Sequence, residues 1–163
     1  QYYEFIKPRT FISSGGLGTM GYGLPAAIGA QAAKEDIMVI NICGDGSFQM
    51  NLAEMATAVE NNLPIKIILF NNKGLGLVRQ LQEFYCEKRY NQVHFGFAPD
   101  FVKLAESYNI KGARVSSRQE ISAAIDNMIS EKGPYFLECI VDIDENVYPM
   151  VLNGSPINDM IGG

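Results

Sequence analysis

A chain of 163 residues that is 47% hydrophobic and 19% charged is long enough to bury one sizeable core and reads as soluble and globular. A net charge of −5 with no Lys/Arg stripe argues against nucleic acid and anionic membrane surfaces as partners, and no apolar run reaches membrane-spanning length. Cys43, Cys86 and Cys139 are widely spaced with no CxxC pair, which fits free thiols in a reducing, cytoplasmic compartment.

The chain opens on QYYEFIKPRT without an initiator Met and reads as a piece of a longer or processed protein. In GGLGTMGYG, Gly16, Gly18 and Gly21 have the spacing of a dinucleotide-binding turn. LPAAIGAQAAK is Ala-rich and helical, with Pro25 in its first turn. Ile37 to Cys43 is a continuous apolar run and predicts a strand buried on both faces. LAEMATAVENN predicts an amphipathic helix beginning near Leu52 and ending at Asn61-Asn62. Ile65 to Phe70 is a second buried strand, followed by a Gly-rich turn and a helix over LVRQLQEFY. DFVKLAESYN is a helix with Asp100 as its cap, and GARV is a short strand. SSRQEISAAIDNMISEKG opens with a Ser117/Glu120 capping box and closes at Gly133; YFLECIV is another apolar strand. Residues 142–163 read as an irregular tail. His94, in YNQVHFGF, reads as a packed or solvent-edge histidine without a catalytic role.

Alternation of strand and helix predicts an α/β fold in three layers, α/β/α, with a mainly parallel sheet in one domain over 1–163. Ligands of such sheets bind outside the carboxyl ends of the strands, so the residues just after each strand carry the information. GDGSFQMN follows the first strand and NNKGLG the second. Asp45 offers a carboxylate, Asn71 and Asn72 offer amide oxygens, and Gly44, Gly46, Gly74 and Gly76 let backbone approach a ligand. These hard oxygen donors suit Mg²⁺ or Ca²⁺ and not zinc. With so few protein charges, the ligand itself must bring phosphate oxygens, and the N–H groups of Gly46 and Ser47 can face them.

Gly-Asp-Gly, then 24 residues from Ser47 to Phe70, then Asn-Asn resembles the thiamine-diphosphate signature. SSGGLGTMGYGLPAAIGAQ, NLPIKIILFNN, PDFVKLAESYNIKGARV and YPMVLNGSPINDMI resemble the C-terminal, diphosphate-binding domain of the acetolactate synthase large catalytic subunit family, over nearly the whole chain. The resemblance implies the thiamine-diphosphate-binding fold. It implies Mg²⁺ held by Asp45, Asn72 and the carbonyl of Gly74, and a diphosphate met by Gly46 and Ser47. Gly76, Leu77 and Val78 would touch the cofactor from the second loop, and Gly18 and Met20 from its pyrimidine end, with Met20 supporting its bend. The implied reaction condenses two 2-keto acids, pyruvate with pyruvate or 2-oxobutyrate, with loss of CO₂, in branched-chain amino-acid synthesis.

That family usually has Gln-Trp-Gln where this chain has Gln80-Leu81-Gln82. Leu81 at the substrate channel therefore puts the preference for 2-oxobutyrate in doubt and implies weak sulfonylurea sensitivity. The family's catalytic glutamate lies in a pyrimidine-binding domain of a partner subunit, so no catalytic residue is assigned here and the chain alone is expected to be inactive. The resemblance further implies pyrimidine-binding and middle domains in the same protein, a middle domain able to hold FAD, a homodimer or tetramer, and a regulatory small subunit.

Three other readings compete. An NAD-dependent oxidoreductase would use the glycine fingerprint with Asp45 on the ribose, but PRTFISSG offers no strong strand before it and Asn71-Asn72 stays unexplained. Pyruvate oxidase and glyoxylate carboligase are similar in this domain, whereas QLQEFY and the tail favour acetolactate synthase. A non-catalytic module that kept only the fold is disfavoured by the intact Asp45 and Asn72.

Overall fold

The computed structural model describes residues 3–162. Helix α1 (Gly23–Ala33) leads to strand β1 (Ile40–Gly44), which runs directly into α2 (Asp45–Gln49). A 3₁₀ turn over Leu52–Glu54 precedes α3 (Met55–Glu60) and strand β2 (Lys66–Asn71). Then come α4 (Gly76–Tyr85), α5 (Phe101–Ser107), β3 (Lys111–Val115), α6 (Arg118–Ser130) and β4 (Tyr135–Ile140). The tail is not wholly irregular, because β5 (Met150–Val151) and β6 (Met160–Ile161) pair antiparallel.

The four main strands form a parallel sheet in the order β1-β2-β4-β3. Parallel crossovers are right-handed, so the direction of each step decides which face its helix covers. The steps β1 to β2 and β2 to β3 run the same way across the sheet, and α3 and α5 share one face. The step β3 to β4 runs back, and α6 lies on the other. The first face holds the larger core, where Phe48, Met55, Phe101 and Ala105 pack on Ile67, Leu69 and Phe136. The second is smaller, with Ala124 and Met128 on Val115, Tyr135 and Leu137.

Two expectations change. The first strand begins at Ile40, three residues later than the apolar run, and it is buried on one face only: Asn41 and Cys43 point inward while Ile42 is 65% exposed. An edge strand whose outer face lies beyond the reach of α6 has nothing above it among the described residues. The helix expected from Leu52 is split, and the helix that matters at the sheet edge starts seven residues earlier, at Asp45.

The caps follow the sequence. Asp100 accepts from the Lys103 N–H at the start of α5, and Glu120 reaches back to the Ser117 N–H at 3.0 Å. Phe48 anchors α2: its ring meets Phe136 at 5.2 Å and Phe101 at 6.0 Å, both edge-on, and burying such a side chain contributes about 1.5–3 kcal/mol. That anchor sits one helical turn after Asp45 and fixes the start of α2 at the carboxyl edge of the sheet.

Candidate cofactor and metal site

Gly44 is extended, so β1 passes into α2 without a loop and Asp45 becomes the first helical residue. Its side chain is 1% exposed. Oδ1 accepts the Gly46 N–H at 2.7 Å, whereas Oδ2 is buried and has no hydrogen-bond partner among the described residues. Burial pushes the Asp45 carboxyl above its ordinary value, while the Gly46 N–H, and the Lys73 and Gly74 N–H groups that face it without hydrogen-bond geometry, pull partly the other way. A buried acceptor left unpaired is costly unless a donor or cation meets it. Because α2 starts at Asp45, the Gly46 and Ser47 amides lie in its first turn, where N–H groups have no intrahelical acceptor.

The turn after β2 is built from two successive side chains closing on the backbone. Asn71 Oδ1 accepts the Lys73 N–H at 3.1 Å, and Asn72 Oδ1 accepts the Gly74 N–H at 3.2 Å. Lys73 sits at φ +57°. Gly74 pairs with the His94 backbone, and a Cβ there would lie 2.5 Å from the Val93 carbonyl oxygen. Leu75 N–H donates to Val93 O and Phe95 N–H to Lys73 O, both at 2.8 Å, which ties the turn to the 93–95 segment. His94 itself is exposed, edge-on to the Tyr90 ring.

The glycine-rich segment docks onto α2. The Gly21 N–H donates to Ser47 Oγ at 2.9 Å, and Asn51 Nδ2 donates to the Gly21 carbonyl at 2.8 Å. Gly21 has φ +87°, and a Cβ would come within 2.8 Å of Asn51 Nδ2, so only glycine fits. Residues 11–16 form no strand, and the element that a dinucleotide turn requires is missing.

Both turns and this segment meet at Gly46. A Cβ added there would lie 3.0 Å from Leu75 Cδ2, 3.1 Å from Phe95 Cζ and 3.2 Å from Met20 Cε. A Cβ at Gly76 would come 2.8 Å from Asn72 Nδ2. Met20, Asp45, Gly46, Ser47, Asn72, Gly74 and Gly76 are therefore one neighbourhood. Gly18, at φ +61°, stands apart, with no described residue within 4 Å of where a Cβ would be. Leu77, Val78 and Leu81 are exposed, while Arg79 and Gln80 on the same helix are buried against the tail. Arg79 pairs with Glu83 at 3.2 Å and with Asp144, and Gln80 brackets Val147 by accepting its N–H and donating to its carbonyl.

The residues around Asp45 fit a cation bridged to a phosphate. An unpaired carboxylate oxygen on α2, an amide oxygen in the turn after β2 and first-turn N–H groups provide hard donors for the ion and N–H donors for the anion. The sequence places Gly21 in a dinucleotide turn, whereas it docks on Ser47 and Asn51, and it gives no sign of Asn51 or of a third layer behind the second turn. There Glu138 of β4, 1% exposed, accepts from Asn71 Nδ2 and from Arg114 Nε, both at 2.6 Å. A lone acid inside the apolar run YFLECIV was the available signal. Cys43 is a buried free thiol whose pKa is pushed up to about 12 by burial.

A family model for the thiamine pyrophosphate enzyme, C-terminal TPP binding domain, matches residues 1–139. The mitochondrial acetolactate synthase catalytic subunit of Saccharomyces cerevisiae is 48% identical over 99% of this chain and 23% of its own length. The acetolactate synthase isozyme 2 large subunit of Escherichia coli is 42% identical over 99% of this chain and 29% of its own. A solved Rhodococcus jostii RHA1 thiamine diphosphate-dependent 4-hydroxybenzoylformate decarboxylase is similar at a TM-score of 0.72 and 31% identity, over 79% of this chain and 24% of that one. The chain spans about a quarter of the length of these relatives.

Proposed function

This chain belongs to the thiamine pyrophosphate enzyme C-terminal, TPP-binding domain family, and from that premise we propose that it is the diphosphate-binding part of an acetolactate synthase large subunit. In the assembled enzyme it serves the condensation of pyruvate with pyruvate or 2-oxobutyrate, with loss of CO₂, toward branched-chain amino acids. The likeness to acetolactate synthase large subunits over nearly its whole length supports this choice within the thiamine class.

The observation that carries the site is the buried, unpaired Oδ2 of Asp45 beside the Asn72 turn. Asp45, Asn72 and the Gly74 carbonyl hold Mg²⁺. The Gly46 and Ser47 N–H groups receive the diphosphate. Gly76, Leu77 and Val78 line the cofactor from the start of α4, and Gly18 and Met20 line its pyrimidine end. Thiamine diphosphate, when bound, supplies the electron sink that lets a 2-keto acid lose CO₂. This chain's own residues bind the cation and orient the diphosphate, and Met20, whose Cε lies beside Gly46, offers the cofactor an apolar surface. Leu81, exposed on α4, takes the substrate-channel position where the family usually has Trp, and a smaller side chain without a flat ring favours the larger keto acid less than Trp does.

Pyrimidine-binding and middle domains of the same protein complete the pocket, with FAD held by the middle domain, in a cytoplasmic homodimer or tetramer served by a regulatory small subunit. Free cysteines support the compartment, and no helix among the described residues is long and apolar enough to cross a membrane. Calorimetric titration of the full-length enzyme tests the reading: thiamine diphosphate binds only with Mg²⁺, Asp45→Asn abolishes binding, and NADH gives no heat. Robust CO₂ release from pyruvate by the isolated 163-residue chain would contradict the need for the other domains.

A further inference from the structure

We propose that Glu138 is a positioning residue for the metal-holding turn, acting through Asn71. The inference rests on the site reading above and concerns a buried acid that this reading leaves without a role.

Glu138 lies on β4, and β4 pairs with β2, the strand that ends in Asn71. Both Glu138 oxygens are occupied, one by Asn71 Nδ2 and one by Arg114 Nε, each at 2.6 Å. Arg114 in turn donates to Asp100 Oδ1 at 2.7 Å, and Asp100 caps α5, so the acid is held from behind by a second element. A buried carboxylate with both oxygens engaged is tolerated for its geometry more than for net stability.

The chemistry of the pair gives the geometry a direction. An ionised carboxylate only accepts, so Asn71 must turn its NH₂ toward Glu138. Its oxygen is then left facing the other way, where it accepts the Lys73 N–H at 3.1 Å. That bond holds Lys73 at φ +57° and brings Asn72 and Gly74, the metal-holding residues, into place. Asn71, with its NH₂ on Glu138 and its oxygen on Lys73, fixes the turn, while Asn72 is the asparagine that would hold the metal. The doubled asparagine has two jobs, and Glu138 assigns the first.

Replacing Glu138 by Gln removes the direction. A neutral amide at 138 has one acceptor for two donors, Asn71 Nδ2 and Arg114 Nε, so one bond is lost and the Asn71 amide is free to flip. The double variant Asn71→Asp/Glu138→Gln restores every bond with reversed polarity. The new amide accepts from Arg114 and donates to the new carboxylate at 71, whose other oxygen still accepts the Lys73 N–H.

The test uses the full-length enzyme. In Glu138→Gln the Mg²⁺ concentration for half-maximal thiamine-diphosphate binding, read by calorimetry, is expected to rise about tenfold, as for one lost charge-assisted hydrogen bond. At saturating Mg²⁺ and cofactor, kcat is expected to stay within about twofold, since the reacting groups are untouched. In the cofactor-free protein the Lys73 and Gly74 amides exchange hydrogen about tenfold faster, as that lost bond predicts, and the double variant returns both readouts to the parent level. An unchanged Mg²⁺ half-saturation, or a double variant that fails to rescue it, overturns the proposal. If Glu138→Gln does not fold, Asn71→Ala carries the same test from the other side of the bond, with the same rise expected. Asp45→Asn and Asn72→Ala run in parallel. If they leave Mg²⁺ binding intact, the site reading itself fails; if they abolish it and Glu138→Gln does not weaken it, only the positioning role fails.

Discussion

The turns after β1 and β2 lie side by side at the same sheet edge, yet they treat their polar groups in opposite ways. In the first, Asp45 keeps one buried oxygen without a partner among the described residues. In the second, the Asn71 and Asn72 oxygens and both oxygens of Glu138 behind them are all engaged. The first turn holds an acceptor in reserve for a ligand, at a cost to the ligand-free fold. The second uses its side-chain hydrogen bonds to hold the shape in which Asn72 and the Gly74 carbonyl are presented. One turn thus offers an open acceptor and the other a braced frame, and that contrast can be probed one residue at a time.

The largest effect is expected at Asp45. Asp45→Asn keeps an oxygen to accept the Gly46 N–H but removes the charge, and Mg²⁺-dependent cofactor binding should fall at least ~100-fold, as when a charged partner is removed from a desolvated pair. The same change should raise the thermal midpoint of the ligand-free protein at neutral pH. Burial raises the folded-state pKa of Asp45 above its unfolded value, so its favourable contribution is complete below the unfolded value and is lost as pH rises through the folded one. The gain in the variant should therefore shrink on acidification toward the ordinary carboxyl range, and Mg²⁺ binding to the parent should weaken over the same window as the ligand protonates. A melting series across pH checks both signs, and a lower midpoint for the variant at neutral pH would break the comparison.

Next come the glycines. At Gly74 a methyl group meets the fixed Val93 carbonyl at 2.5 Å, so Gly74→Ala should destabilise by about 1–3 kcal/mol in a denaturant melt. At Gly46 the neighbours are the ends of Leu75, Phe95 and Met20, which can move. Gly46→Ala should therefore cost less than ~1 kcal/mol in stability while weakening diphosphate binding about tenfold, through displaced N–H donors. Equal stability losses at the two positions would mean that the turns are not so different.

The smallest effect is expected at Leu81, exposed on α4 beyond both turns. Leu81→Trp should leave the Mg²⁺ half-saturation unchanged. It should raise the 2-oxobutyrate over pyruvate preference of the full-length enzyme by roughly tenfold, the scale of apolar contact discrimination, and increase sulfonylurea sensitivity. Product ratios under mixed substrates measure the first, and inhibition curves the second.

Much of the architecture was legible because its signals are local. Alternating apolar runs, the Asp100 cap and the Ser117/Glu120 box appear where the residues place them. The run Ile37–Cys43 misled because apolar continuity says that a strand is apolar, not whether a helix arrives to cover it; strand order left the outer face of β1 open. The helix start was misplaced because Asp45 reads as a turn residue in isolation, while the burial of Phe48 between Phe101 and Phe136 pulls the chain into a helix at once. The Gly16-x-Gly18-x-x-Gly21 spacing suggested a nucleotide turn, yet in the fold Gly21 is a docking point for Ser47 and Asn51.

By itself, then, the sequence determined the alternation of elements and the two post-strand motifs, because propensity, capping and turn chemistry act between residues a few positions apart. Only the tertiary structure decided that Asp45 keeps an unpaired oxygen and that Asn71 answers to Glu138, 67 residues away. Those facts depend on which strands become neighbours, and strand order follows from the handedness of crossovers and the burial of whole faces, which no single segment encodes.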